Sequence, residues 1–463
     1  MSLTAKHIIA AVATAPLPSG VAVIRLSGAG CKALADTLCP QFDNTKPRMM
    51  HYAPLVEGGQ TVDEGLWVWF KAPHSFTGEE VVEFHGHGGR AVLQAVLQAF
   101  YNAGAKPAEA GEFTRRAFLN GKLDLTQAEG LADLIAANTE QQRQQALRQM
   151  NGELGQRFEK WRTELMHLVA HAEAAIDFPD EELDVLKETH FAEKIETLLS
   201  TFEQAQQNNT GQRLREGFEV AIIGRPNAGK STLTNLLTGR ETAIVSPLAG
   251  TTRDVVESHL DIAGYPVILA DTAGLRLTDD AIEAEGVKRA QKRAQQADFI
   301  ILLIDAVDWP TLPPEITQFV GDKQSLVLVT KIDQNPKKVP NTVAVGSKNG
   351  CKNLPVLTVD LTNPHSLTPI LESLANALQH LVAEAQDAAH LNRQRHREAV
   401  AEARAHLQQA KTLFEQTQKG GHFSADMLAQ DLREAAQSIG KITGRTDVED
   451  VLDLVFSTFC IGK

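Results

Sequence analysis

Cysteine is scarce in this chain: four residues in 463, Cys31, Cys39, Cys351 and Cys460, and no two of them form a CxxC pair. This pattern excludes a disulfide framework and offers no thiolate spacing for a structural zinc site. Such usage is typical of a reducing compartment, so we expect a cytoplasmic protein.

Long apolar runs and an excess of positive charge are also missing. No apolar run reaches the roughly 20 residues of a membrane-spanning helix, so we expect no membrane segment. The opening MSLTAKHIIAAVATAPLPSG has one early lysine and soon meets proline, which predicts a first strand and loop rather than a signal peptide. The formal net charge of −13 argues against a protein that coats nucleic acid, yet leaves room for a local site for one structured RNA.

Composition divides the chain into regions that suggest about three domains. Residues 1–122 mix strand-like runs (GVAVIRL, VVEFHGHGG) with helical stretches, which predicts an α/β or α+β domain. Residues 123–216 are poor in glycine and repeat apolar residues at helical spacing, which predicts helices. Residues 217–380 alternate short apolar strands with helices, as in a mainly parallel sheet covered on both faces. Residues 381–463 are again helical.

The second α/β region therefore interrupts a helical one. Its two flanks share a Gln- and Ala-rich character, which favours one helical domain with an inserted α/β domain. Two separate helical domains are the alternative. The expected fold class is a multidomain α/β and α protein: an N-terminal α/β domain, a helical domain, and an inserted Ras-like P-loop domain.

The stretch GRPNAGKS, Gly224 to Ser231, matches the phosphate-binding pattern GxxxxGK[ST]. It follows an apolar strand and precedes a helical run, which is the context such a loop requires. Glycines let the backbone wrap phosphate, and the exposed N–H groups supply positive potential. We expect Lys230 to hold the β- and γ-phosphates and the Ser231 hydroxyl to bind Mg²⁺.

Three further motifs follow in the order of a GTPase. GTTRD offers Thr252 as a second Mg²⁺-side hydroxyl, and DTAG places Asp271 at a strand end near the metal and Gly274 beside the γ-phosphate. TKID resembles the NKxD loop, in which the aspartate, here Asp333, accepts hydrogen bonds from guanine. The stretch VLTVDLT is the best candidate for the loop that backs the base.

Two departures from the usual pattern matter. Thr330 replaces the asparagine of NKxD, so a loop-bracing or base contact is at risk, and we expect guanine preference with weaker affinity. Leu275 follows DTAG, where a Ras-type protein has the glutamine that holds the attacking water. An isobutyl group forms no hydrogen bond, so hydrolysis needs a substitute.

The chain resembles the MnmE (TrmE) family of tRNA-modification GTPases. The resemblance runs nearly end to end, over SFTGEEVVEFHGHGG, GEFTRRAFLNGKLDLTQAEGLADLI, EAAIDFPDEE, GRPNAGKS, GTTRD, DTAGLR and the terminal CIGK. It implies an N-terminal domain that dimerises and binds a folate, a helical domain made from two segments, and an inserted G domain.

The resemblance also implies partners and chemistry. With the flavoprotein MnmG (GidA), in a heterotetramer, family members modify carbon 5 of the wobble uridine of certain tRNAs, adding an aminomethyl or carboxymethylaminomethyl group. The folate, 5-formyltetrahydrofolate or methylenetetrahydrofolate, is the proposed one-carbon source. The G domains of the homodimer approach one another during hydrolysis.

The resemblance supplies the substitutes for glutamine as well. It implies a K⁺ ion held by the Asn227 side chain and by Ser246, Leu248 and Thr251, with Glu283 positioning the water. The motifs and the resemblance together assign the GTP contacts to Asn227, Ala228, Gly229, Lys230, Ser231, Thr232, Ser246, Pro247, Leu248, Ala249, Gly250, Thr251, Thr252, Asp271, Thr272, Ala273, Gly274, Thr330, Lys331 and Asp333.

Folate contacts are implied, by position, for Arg25, Glu83, Lys122 and Lys463, and a catalytic role for Cys460. Without the family, the four charged residues would be interpreted as surface charges and Cys460 as a small buried hydrophobe.

Two further stretches contain residues that could bind a metal ion or RNA. His85 and His87 in HGHGG suggest a metal, but no third ligand is apparent, which favours a structural loop. NRQRHR, Asn392 to Arg397, is a basic run that could contact RNA phosphate, although a solvated helix face is the commoner outcome.

Two other function classes share the phosphate loop. A GTP-regulated assembly factor, such as a ribosome-associated switch protein, would have the same G motifs but not the N-terminal block and CIGK. A metabolic kinase is disfavoured, since GTTRD, DTAG and TKID form a GTPase set.

Overall fold

The structure is a computed structural model that describes residues 7–14, 18–42, 46–177, 190–239, 243–244, 257–270, 292, 294–312, 323–333, 339–347, 350–383, 391–418, 425–446, 449–457 and 459–462. Within these ranges, no helix is both long and apolar enough to span a bilayer. The chain forms two compact units. The first comprises Met1–Ala132, Arg148–Glu182 and Ser424–Lys463, and the second Asp133–Leu147 and Leu183–Phe423.

The N-terminal part of the first unit is built on a sheet with the order β3-β4-β5-β2-β1-β6. All its strand pairs are antiparallel except β1 with β6. Tilted and edge-on contacts of Trp67 with Phe42, Phe84 and Phe100 fill its core. The strands are β1 (Ile9–Val12), β2 (Ser19–Ser27), β3 (His51–Glu57), β4 (Gln60–Phe70), β5 (Val81–Gly88) and β6 (Lys106–Pro107), and the helices are α1 (Cys31–Leu38), α2 (Arg90–Asn102) and α3 (Glu112–Leu119).

Helices flank the second sheet on both sides in the sequence. Before it come α4 (Leu125–Ala136), α5 (Glu140–Met150), α6 (Glu153–Asp177), α7 (Phe191–Gln207) and α8 (Thr210–Glu216), and after it α11 (Gln394–Gln418), α12 (Ala425–Thr443) and α13 (Glu449–Ser457). Helix α12 packs along α6 in the first unit, and α11 packs along α7 in the second. Helices from before and after the sheet therefore pair, with one such pair in each unit.

The second unit contains a sheet of eight strands among the described residues, in the order β13-β14-β12-β11-β7-β10-β9-β8. Its five central strands, β10, β7, β11, β12 and β14, are parallel, which confirms the mainly parallel sheet. The strands are β7 (Phe218–Gly224), β8 (Ala243–Ile244), β9 (Glu257–Ile262), β10 (Tyr265–Ala270), β11 (Phe299–Asp305), β12 (Gln324–Thr330), β13 (Thr342–Ser347) and β14 (Gly350–Val359), with helices α9 (Lys230–Thr238) and α10 (Leu367–Ala383).

Both faces of this sheet are buried, which explains why its strands read as continuous apolar runs. Phe299, Ile301 and Leu303 of β11 pack into one core with the apolar faces of α9 and α10. The alternate residues Ile300 and Leu302 belong to a second core on the opposite face. The carboxyl ends of β7, β11 and β12 thus meet at one edge, where ligands bind in open parallel sheets.

The basic run NRQRHR turns inward, so its interpretation as a solvated helix face is wrong. Asn392 is 2% exposed and His396 is fully buried. The Arg397 guanidinium donates to the carbonyls of Gln206, at 2.9 Å, and Asn208, at 2.7 Å, at the end of α7. Helix ends leave carbonyls without intrahelical partners, and the half-buried Arg397 guanidinium satisfies two of them.

Candidate functional sites

The loop between β7 and α9 has the backbone shape of a phosphate cradle. Asn227 has φ 62° and Gly229 has φ 98°, so two of its residues lie in the left-handed region. Successive N–H groups in such a turn point into one concavity and favour an anion. A β-carbon at Gly229 would lie 2.7 Å from Leu361 Cδ1, and one at Gly224 would lie 2.5 Å from the carbonyl oxygen of Leu303. Both positions therefore require glycine.

Lys230 lies across this loop. Its ammonium donates to the carbonyls of Gly224 at 2.8 Å and Arg225 at 2.7 Å. Burial lowers the pKa of Lys230 from its ordinary value. Ser231 and Thr232 are exposed in the first turn of α9, where the helix dipole and free N–H groups attract anions. Asn227 is also exposed on the loop, so its side-chain amide is accessible to an ion.

The base-reading motif begins where β12 ends. The Thr330 hydroxyl lies 3.0 Å from the carbonyl oxygen of Ala228 in the phosphate loop, so a brace between the two loops is present without the usual asparagine. Lys331, at φ 56°, forms a 2.8 Å ion pair with Asp305, and its hydrogen bond lowers the pKa of that carboxyl. Asp333 is exposed on the turn that follows.

Asp305 is a residue that sequence reasoning missed. It ends β11 and pairs with Thr330 in the sheet register, so its carboxylate stands at the same edge as the phosphate loop. The signal was available: DFIILLID closes on an acidic residue, and polar residues at the ends of adjacent parallel strands meet in space. Leu361, in the candidate base-backing stretch, was also unassigned, yet it borders Gly229.

The rest of the predicted nucleotide and ion contacts lie outside the described residues. These are Ser246, Pro247, Leu248, Ala249, Gly250, Thr251, Thr252, Asp271, Thr272, Ala273 and Gly274, together with Leu275, Glu283 and, from the folate set, Lys463.

The first unit holds a second cluster around Arg25 on β2. Arg25 Nε donates to Glu83 Oε1 at 2.8 Å across the β2–β5 pair, and His85 Nε2 lies 3.2 Å from Glu83 Oε2. Burial alone would raise the pKa of Glu83, but the hydrogen bond with His85 and the charge of Arg25 outweigh it and lower that pKa. Glu83 is therefore an ionised acceptor at neutral pH.

Aromatic rings and a lysine complete this cluster. The Arg25 guanidinium lies 5.7 Å from the Phe76 ring centroid and 5.8 Å from that of Phe113. Lys122 donates to the carbonyl of Pro73 at 3.2 Å, on the same loop as Phe76. Three of the four predicted folate residues thus lie around one loop and one β-sheet face.

A buried arginine anchors that loop, and sequence reasoning did not assign it. Arg116 is 3% exposed and donates to Glu79 at 3.0 Å and Glu112 at 2.7 Å. Ser27 also bonds Glu79, at 2.8 Å. A buried charge needs charged partners, and these two ion pairs tie Glu79 of the loop to helix α3.

The C-terminal tail lies on the same sheet. Ile461 forms an antiparallel bridge with Ala110, and a side chain at Gly462 would collide with the carbonyl of Val12 on β1. Val12 pairs with Ile24, the residue before Arg25. Cys460 is an exposed free thiol beside this strand rather than a buried hydrophobe.

His85 and His87 lie in strand β5, so their interpretation as a structural loop is wrong. Their alternation along VVEFHGHG is strand periodicity, with Gly86 between them. His85 pairs with Glu83, and His87 Nδ1 lies 2.7 Å from Asp63 Oδ1. Over the described ranges, no group of three or more metal-ligating side chains occurs.

Comparison with known proteins identifies the family of this chain. The family model described as "GTP-binding protein TrmE N-terminus" matches residues 8–122, and that of the "MnmE helical domain" matches residues 125–460. The chain belongs to the MnmE (TrmE) family. The tRNA modification GTPase MnmE of Paramagnetospirillum magneticum is 45% identical over 98% of this chain and 99% of that protein. The MnmE of Parvibaculum lavamentivorans is 46% identical, also over 98% and 99% of the two chains.

A solved structure of Aquifex aeolicus Era covers 34% of this chain and 56% of its own, at 26% identity and a TM-score of 0.24. The assignment to the MnmE family therefore rests on the full-length relatives, and the phosphate loop with its parallel sheet agrees with their description as GTPases.

Proposed function

We propose that this MnmE-family GTPase hydrolyses GTP with the help of K⁺ and couples that reaction, together with the flavoprotein MnmG, to modification of carbon 5 of the wobble uridine in certain tRNAs. The observation that carries the proposal is the phosphate loop. Gly229 and Lys230 lie in this loop and Thr330, at the end of β12, braces it, in a chain that is 45% identical to an MnmE over nearly its whole length.

The loop fits the phosphates of GTP and a bound Mg²⁺ ion. We expect Lys230 and the N–H groups at the start of α9 to bind the phosphates, and the exposed Ser231 hydroxyl is a ligand of the type that Mg²⁺ takes beside phosphates. Asp333 selects guanine, and Lys331 lies beside it, held by Asp305. Thr252 would provide the second Mg²⁺-side hydroxyl.

The loop also fits K⁺ at Asn227. A left-handed backbone and an exposed amide present an oxygen ligand beside the phosphates. With Ser246, Leu248 and Thr251 it would form the shell of a monovalent cation, whose fixed charge stabilises the charge that develops during phosphoryl transfer. The negative charge that develops on the phosphates is then neutralised by an ion, whereas other GTPases use an arginine side chain for this purpose.

We expect GTP turnover to require K⁺. Replacing K⁺ by Na⁺ at equal ionic strength, with Mg²⁺ present, should reduce kcat by about a hundredfold, within the range for removing one electrostatic stabiliser. Steady-state phosphate release measures this, with GDP affinity in both salts as the control for binding. Equal rates in the two salts would exclude the cation role of Asn227.

The cluster around Arg25 fits a folate. Glu83 is an ionised acceptor for the amino edge of a pterin, and Arg25, Lys122 and Lys463 attract carboxylates. The Phe76 and Phe113 rings provide flat apolar contacts near Arg25. We propose 5-formyltetrahydrofolate or methylenetetrahydrofolate as the ligand, and Cys460, on the nearby tail, as the associated thiol.

Removing the charges should weaken folate binding without affecting GTP binding. The Arg25→Ala and Glu83→Gln variants should each weaken affinity for 5-formyltetrahydrofolate by at least about tenfold, since each leaves a charged partner uncompensated. Isothermal titration calorimetry measures this, with the exposed Arg90→Ala as control. A wild-type chain that shows no folate binding would refute this part of the proposal alone.

The domain boundaries follow the same proposal. Residues 1–122 form the folate-binding and dimerisation domain, residues 123–216 and 381–463 the helical domain, and residues 217–380 the G domain. We propose a cytoplasmic homodimer that assembles with MnmG as a heterotetramer and whose G domains associate during turnover.

A further inference from the structure

Thr330 occupies an unusual position for a residue of a base-reading motif. Its side chain is 2% exposed, at the end of the central strand β12. The hydroxyl lies 3.0 Å from the carbonyl oxygen of Ala228 and 3.4 Å from that of Ile304. A hydroxyl has one proton, and the shorter distance indicates that Ala228 is the principal acceptor. Thr330 thus connects the end of β12 to the phosphate loop.

The threonine has little left with which to contact a base. Its backbone carbonyl accepts a hydrogen bond from the Ala306 amide at 2.9 Å. Asp333, by contrast, is exposed three residues further on, and Lys331 is turned towards Asp305. In this motif, Asp333 is exposed and available to a nucleotide, whereas Thr330 is buried and points towards the phosphate loop.

The Ala228 carbonyl fixes the orientation of the next amide. In a planar trans peptide, the C=O of one residue and the N–H of the following one point in opposite directions. Because the Ala228 carbonyl points to the buried Thr330, the Gly229 N–H must point away from β12. Amides on that side of the loop are the ones that cradle phosphates.

Without the Thr330 hydroxyl, the peptide plane between Ala228 and Gly229 loses the hydrogen bond that fixes its orientation. Gly229 has φ 98°, and glycine populates both signs of φ readily, so the plane can rotate at low steric cost. Ala228 is 2% exposed, so its carbonyl would also lose a partner in a place that water reaches poorly.

We propose that Thr330 is a positioning residue that orients the Gly229 amide towards the nucleotide phosphates and takes no part in reading the base. The proposal rests on GTP binding by the phosphate loop, as set out above. Guanine selection then belongs to Asp333, and the threonine acts on affinity for any nucleotide that carries a β-phosphate.

The test uses the full-length chain with Mg²⁺ and K⁺ and three variants. Thr330→Val removes the hydroxyl at nearly constant shape, Thr330→Ser keeps it, and Ser325→Ala removes another buried hydroxyl from β12, one that donates to Lys323 at 3.2 Å. Affinities for GDP, GTP and ATP are measured by competition titration, together with kcat and KM for GTP.

We expect Thr330→Val to weaken GDP and GTP binding by about three- to tenfold, the range for one buried hydrogen bond. The ratio of GTP to ATP affinity should stay unchanged, and KM should rise more than kcat falls. Thr330→Ser should bind within about twofold of wild type, and Ser325→Ala should be unaffected.

Three results would overturn the proposal: unchanged GDP affinity in Thr330→Val, a serine variant as weak as the valine variant, or a valine variant with altered preference between GTP and ATP. The last result would make Thr330 a base reader. If the valine variant melts early, Thr330→Ala repeats the test and the serine comparison still decides. GDP affinity needs no hydrolysis, so a wild type that binds GDP but never cleaves GTP would refute the K⁺ mechanism without touching this one.

Discussion

Replacing Lys230 by alanine should lower kcat/KM for GTP by about a hundred- to a thousandfold. The Lys230 ammonium lies on the phosphate loop, through its contacts with the carbonyls of Gly224 and Arg225. Those carbonyls hold the ammonium on the loop, where the proposed function places the β- and γ-phosphates. Its loss removes the principal positive charge opposite the transferring group.

The matched control is Lys352→Ala. Lys352 also donates to a backbone carbonyl, that of Lys323 at 2.9 Å, but it lies on β14 away from the phosphate loop. Turnover should be unchanged in this variant. A Lys230 variant with normal GTP turnover would show that the loop, despite its shape, does not bind the nucleotide productively.

The Lys230→Ala variant also tests whether tRNA modification in the cell requires GTP hydrolysis. In cells that lack the chain, the modified wobble uridine should disappear from the nucleoside profile of tRNA. Wild type should restore it and Lys230→Ala should not, while Lys352→Ala should. If the Lys230 variant restored the modified uridine, the chain could still be a GTPase, but its GTP hydrolysis would not be coupled to the modification.

Replacing Glu283 by alanine should lower kcat by about a hundred- to ten-thousandfold while GDP still binds. Leu275 stands where a Ras-type GTPase has its water-holding glutamine, and an isobutyl group neither accepts nor donates a hydrogen bond. A carboxylate that accepts from the attacking water, directly or through a second water, supplies what is missing. Glu283 is the residue to which the family resemblance assigns that role.

Glu285→Ala is the control, since it removes the same charge two residues along the chain. It should retain wild-type kcat and the same requirement for K⁺. Single-turnover phosphate release with excess enzyme distinguishes a slow chemical step from slow product release. If Glu283→Ala cleaves GTP at the wild-type rate, the water must be held by another group.

The parallel sheet and its phosphate loop were predictable from the sequence because their signals are local. Continuous apolar strands such as DFIILLID are required when helices cover both faces of a sheet, and GRPNAGKS needs its glycines for a backbone that β-carbons would obstruct. Strand, loop and helix here follow one another directly in the chain, so neighbouring residues carried the information.

Interpretation failed where a residue's partner is distant in sequence. The arginines of NRQRHR resemble a surface run, yet Arg397 bonds carbonyls 191 and 189 positions away. HGHGG was interpreted as a structural loop because no third metal ligand was apparent, whereas pairing with β2 and β4 extends the strand-like run VVEFHGHGG through it to Gly88. Charge and motif content are local properties, and they do not report which backbone groups a distant element leaves unsatisfied.

By itself the sequence determined the order of the elements, the glycine-dependent phosphate loop and the family. The tertiary structure alone decided which groups meet: Thr330 with the Ala228 carbonyl 102 positions earlier, Lys331 with Asp305, and Arg25 with Glu83. The physical reason is that a hydrogen bond depends on distances of about 3 Å between atoms, and only the folding of strands into one sheet brings such atoms together.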